Sequence, residues 1–171
     1  MSELVDQQKF QPTRKPTLLV VIAVISFIYI GLSFFGTVTS FLSGPMNQEA
    51  WEMYEATMYE SVGQMNDLGM TGMAAMVEQV IQMSYIANFE YFVLNNLLQL
   101  IALLIGALGV FMMLRLKKIG FHLYVIYSLL PVVILYLLFP TEVIATFVVV
   151  STLVISAIFC LLYALNLKHM K

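Results

Sequence analysis

The chain reads as an all-α integral membrane protein: a four-transmembrane-helix bundle with a short extracytoplasmic helical hairpin between helices 1 and 2. Three observations carry this. Hydrophobic residues make up 61% of the 171-residue chain and charged residues only 11%, with a mean hydropathy of +0.91. Soluble domains run nearer 45–50% apolar and about 25% charged. The apolar residues gather into four runs, each long enough to cross a hydrocarbon core of about 30 Å, which takes roughly 20 helical residues. Finally, the charges are sorted by sign along the chain rather than mixed.

The first run covers 17–43 and follows a tail at 1–16. It carries no charge and would extend about 40 Å as a helix, enough to span with tilt. Pro16 suits a first helical turn, and Gly44-Pro45 ends the run. A cleavable signal core is only about 7–15 residues, so a basic flank before this longer run predicts an uncleaved signal-anchor. The second run covers 91–114, the third 119–139 and the fourth 143–165, with a tail at 166–171. Thr141 is the expected N-cap of the fourth, with Glu142 in its first turn. Pro131 falls midway along the third, where the one backbone bond it removes can be repaired by neighbours.

Orientation follows from the basic residues. Lys9, Arg14 and Lys15 precede the first run; Arg115, Lys117 and Lys118 lie around the 115–118 turn; Lys168 and Lys171 follow the fourth. The 44–90 segment and the 140–142 turn hold no Lys or Arg, and eight of the ten acids sit in or beside them. The positive-inside rule therefore places both termini in the cytoplasm. The lone Cys160 lies inside an apolar run, which leaves no intramolecular disulfide, and no N-glycosylation sequon occurs. Both features fit a bacterial inner membrane.

The 44–90 segment is expected to fold as two amphipathic arms of about four turns. Asn47 is placed to cap the first, and Trp51, Tyr54, Met58, Val62 and Met65 recur on one face at helical spacing. Asn66-Asp67-Leu68-Gly69 reads as the turn. The second arm, from about Thr71, has Met73, Val77, Val80 and Ser84 as its expected stripe and can run unbroken into the second span. Eight of the twelve methionines fall in this segment. Methionine is a flexible apolar filler suited to adaptable contact surfaces, so Trp51, Tyr54, Met58 and Met65 form a candidate partner surface. Thioethers are also soft ligands, and Met70, Met73 and Met76 resemble the methionine runs of extracytoplasmic Cu(I) proteins. On one continuous helix the three residues would fan over about 120° at 100° per residue, and their sulfurs would converge only if Gly69 or Gly72 broke it.

Within the spans, Asn88, Asn95, Gln99, Ala102, Gly106 and Gly109 follow at steps of seven, four, three, four and three, with Asn96 at the edge of that face. Amides are costly in hydrocarbon unless paired, and small residues let helices approach closely. The first span offers Ser26, Ser33, Thr37 and Ser40, and the fourth Thr152, Ser156 and Cys160. The economical arrangement brings these three faces together as interhelical polar packing.

No zinc-protease motif, Ser/His/Asp set or phosphate loop occurs, and no ionisable residue lies deep in a span. An enzyme, a proton-coupled transporter and a nucleic-acid binder are all disfavoured, and no cofactor is implied. The expected role is contact: with the lipid bilayer, and with other membrane subunits or a second copy. The alternative is a small transport or metal-handling protein using the methionine-rich segment. In topology alone the plan resembles claudins and tetraspanins. The tetraspanin Cys-Cys-Gly motif and long second outer loop are missing, as are the paired cysteines of the claudin first loop, where Trp51 stands by itself, so no residue roles carry over.

Overall fold

The computed structural model describes residues 16–171 and is all-helical. The basic N-terminal tail, with Lys9, Arg14 and Lys15, lies outside the described residues. Six helices follow: α1 Thr17–Ser43, α2 Gln48–Asp67, α3 Thr71–Phe89, α4 Phe92–Leu114, α5 Lys118–Leu138 and α6 Thr146–Ala164, then a 3₁₀ turn at Leu167–His169. Four of them, α1, α4, α5 and α6, are long and apolar enough to cross a membrane. The chain is a small polytopic membrane protein. Its bundle has one end crowned by the α2–α3 hairpin and another carrying Arg115, Lys117, Lys118, Lys168 and Lys171.

The strongest packing in the bundle joins α4 to α5, and α4 also lies along α1. Helix α6 rests on α5 and touches α1 only lightly. Sequence explains the first seam. An ideal Cβ on Gly120 would stand 2.5 Å from the Met113 nitrogen and 2.6 Å from the Gly109 oxygen; one on Gly109 would stand 2.9 Å from the Tyr124 nitrogen. Only glycine lets the two backbones meet there. One turn further along, a Cβ on Gly106 would lie 2.7 Å from the Tyr127 ring, so the ring fills the space that glycine vacates.

The tyrosines extend this seam across the bundle. Tyr124 packs edge-on against Tyr127 at 5.6 Å and against Tyr163 of α6 at 4.6 Å between ring centroids. Tyr163 is fully buried and donates its hydroxyl to Ser26 Oγ of α1 at 2.9 Å. Three spans are thus tied together near the basic end. There the final residue pairs with the α4–α5 turn: the Lys171 N–H donates to the Leu116 carbonyl at 2.7 Å, and the Lys118 N–H donates to the Lys171 carbonyl at 2.9 Å.

Three element boundaries differ from the sequence reading. Helix α3 does not continue into α4; the chain breaks at Glu90-Tyr91. Helix α6 starts at Thr146, after Ala145, so Thr141 does not cap it and Glu142 is not in its first turn. Val143 N–H instead donates to the Pro140 carbonyl at 3.0 Å, and Thr141 Oγ1 donates to Glu142 Oε1 at 3.2 Å. Burial of Ile144 and Ala145 holds this connection across the bundle end before the helix begins. The hairpin arms are also longer than expected, at 20 and 19 residues. Helix α5 continues through Pro131.

Candidate functional site

Two regions hold the residues that sequence singled out: the hairpin, and a set of clefts in the bundle. In the hairpin, Asn47 caps α2 by accepting from the Ala50 N–H at 2.8 Å. Gly69, with φ +74°, reverses the chain after Leu68. The seam between the arms is filled by Trp51, Val62, Ala74 and Ile81, with Tyr54, Met58, Met65 and Val77 packed against them. Trp51 is only 3% exposed, ringed by Tyr54, Tyr85 and Phe89 at 5.3–5.8 Å between centroids. The face of Trp51, Tyr54, Met58 and Met65 is therefore turned onto α3 rather than outwards. The second arm uses Ala74, Val77 and Ile81; of the expected stripe Val77 lies on the seam and Met73 is exposed, because alanine lets the arms close where methionine would hold them apart.

What the seam leaves outside is a different set of apolar residues. Met53 and Leu68 are 71% exposed, Met73 53%, Met76 42% and Met70 38%. Met70 precedes α3, while Met73 and Met76 sit one turn apart on its exposed side. At the base of the hairpin Asn88 grips the α1–α2 linker in both directions, accepting from the Met46 N–H at 2.7 Å and donating to its carbonyl at 3.1 Å. Asn88 thus serves the linker rather than a neighbouring span.

In the bundle, most of the polar residues bond within their own helices. Asn96 Nδ2 donates to the Phe92 carbonyl at 2.8 Å, Gln99 Nε2 to Asn95 Oδ1 at 3.4 Å, Thr37 to the Ser33 carbonyl at 2.8 Å and Thr152 to the Val148 carbonyl at 2.7 Å. Links between spans are fewer. Besides Tyr163 to Ser26, Ser156 Oγ donates to the Ser128 carbonyl at 2.9 Å, and Ser128 Oγ lies 3.4 Å from Cys160 Sγ. The polar stripe of α6 thus faces α5, not α4. Gly106 and Gly109 also meet α5.

The amide face of α4 instead lines a cleft. A polar groove of about 510 Å³ at the hairpin end runs between α1, the end of α3 and α4, walled by Ser33, Thr37, Ser40, Asn88, Asn95 and Gln99 among others. Ser33, Asn95 and Gln99 are shared with a second space of about 260 Å³ at the bundle centre, touched by all four spans. That space shares Tyr29, Tyr127, Pro131 and Thr152 with a third, also about 260 Å³, between α1, α5 and α6. The lining changes along this path from amides and hydroxyls to mostly carbon.

Sequence reasoning missed Tyr124, Tyr127, Tyr163 and Gly120, which organise the bundle. Gly120, Tyr124 and Tyr127 recur at four and three along the third run, a spacing that marks one face. Among the described residues no three His, Cys, Asp or Glu side chains gather where a metal ion could be held. Comparison with protein-family models, with curated proteins and with solved structures finds no match to this chain.

Proposed function

We propose that this protein is a non-enzymatic membrane component that works by contact, as an accessory or assembly subunit of a membrane complex or as a homo-oligomer. The observation that supports this most is the uncovered apolar set at the hairpin tip. Leu68, Met70, Met73 and Met76 stand away from the spans, on a hairpin whose own seam is already filled. Exposed apolar patches outside a bilayer mark interaction sites, and methionine adapts to the partner it meets. The setting proposed is a bacterial inner membrane, with both termini cytoplasmic and the hairpin outside.

Photo-crosslinking from positions 68 and 73 in intact membranes tests this. A single adduct is expected, at either twice the chain mass or one defined larger mass, and Met76→Asp should remove it while the spans stay folded. Monomer without an adduct at both positions would overturn the reading. The second reading is Cu(I) or Ag(I) handling, favoured by the break at Gly69 that frees Met70 from the helical fan. Its test is metal titration of a Met70/Met73/Met76→Leu variant; a titration indistinguishable from wild type removes it.

A further inference from the structure

We propose that the three joined clefts form one binding site for an uncharged amphiphile: a neutral lipid with a hydroxyl-bearing head, held by the α4 amides, and one acyl chain laid between α1 and α6.

The first support is an amide set with spare capacity at bilayer depth. Gln99 lies seven residues into α4, about 10 Å along the helix at 1.5 Å per residue. It is exposed and makes one long bond, to Asn95; Gln99 Oε1 and Asn95 Nδ2 have no protein partner among the described residues. A primary amide offers two donors and an acceptor with two lone pairs. Leaving such groups open to hydrocarbon is costly, so the groove is built for something polar.

The second support is charge. The groove lining contains no ionisable side chain. Between residues 44 and 114 the chain has no Lys or Arg, while Glu49, Glu52, Glu55, Glu60, Asp67, Glu78 and Glu90 are all acidic. A phosphate head would meet neither a cation nor a neutral field there. Hydroxyls, which donate and accept, match amides and serines without any charge.

The third support is the way in. At the basic end α1 and α6 are joined by Tyr163 and Ser26, but beyond that pair the seam opens. Its rims, Ile25 and Tyr29 on α1 and Ile155 on α6, are 50%, 63% and 58% exposed. A chain can therefore enter sideways from the membrane. Hydrocarbon gains little by exchanging lipid for an apolar cleft, so selectivity must come from the head.

Native mass spectrometry of the full chain in mild detergent tests the site. The probes are monoglycosyl diacylglycerol, phosphatidylethanolamine and phosphatidylglycerol at equal mole fraction. The glycosyl lipid is expected to be retained about tenfold over phosphatidylglycerol, the yield of one or two hydrogen bonds. The Asn95→Leu/Gln99→Leu double variant should bring the ratio close to one with its melting curve intact. Equal retention of all three lipids by wild type, or preference for either phospholipid, overturns the proposal. Should the double variant not fold, wild type decides alone. A glycosyl lipid with a diazirine in its acyl chain should label peptides containing Tyr29, Thr152 and Ile155, in competition with unlabelled lipid. Label spread over the outer face of α6, at Leu153 and Leu161, overturns it equally.

Discussion

The α4–α5 and α1–α6 seams sit in the same bundle and obey opposite rules. At the first, glycines on both sides bring backbone onto backbone, and the Tyr127 ring fills the space over Gly106. At the second, the helices touch far less, with Tyr163 bonded to Ser26 and a cleft lined mostly by carbon open beside them. In hydrocarbon, where burial of apolar surface gives helices no reason to associate, close packing has to supply the cohesion. One half of the bundle has that packing. The α1–α6 side has little of it beyond the bond from Tyr163 to Ser26 and is free to admit something else.

The comparison breaks first at Gly120. Gly120→Leu places side-chain atoms inside the Gly109 and Met113 backbone, which cannot swing aside, and should cost about 3 kcal/mol or more. Loss of the monodisperse peak on size exclusion in mild detergent reads it out; a stable variant would mean that the seam is looser than its geometry. Tyr163→Phe keeps the ring and removes only the bond to Ser26, so it should cost about 0.6 kcal/mol, and at most about 1.7. Unfolding in mixed micelles measures this, and a cost as large as that of Gly120→Leu would make the two seams equals. Ile155→Ala, on the rim of the cleft, should stay within about 0.5 kcal/mol in the same assay. A larger loss would show that the cleft closes in the membrane.

The sequence carried the four spans because unbroken apolar length needs no partner to be recognised. Asn47 and Gly69 were legible for a similar reason: a cap and a left-handed turn are local chemistry. Phase was harder. Helix α3 has apolar residues on nearly every side, so periodicity could not choose between a Met73 face and the Ala74 face that the structure uses. The amides of α4 do share a face, but which neighbour that face meets depends on the close approach of Gly109 and Gly120, a pairing between distant residues. The α5–α6 turn misled for a plainer reason. Thr141 and Glu142 look like a cap and first turn, yet the side chains bond to each other while Ile144 and Ala145 are tucked under the bundle end.

The acids of the hairpin have a consequence of their own. Glu49, Glu52, Glu55, Glu60 and Asp67 follow one another along a single arm with no cation between residues 44 and 114. Their combined potential reaches about 8 Å into solution at physiological ionic strength and about 30 Å at 0.01 M. Counterions will crowd this end of the molecule, and a basic protein will arrive there faster than a neutral one. Encounter at the hairpin should therefore slow as salt is added, even where the contact finally made is entirely apolar.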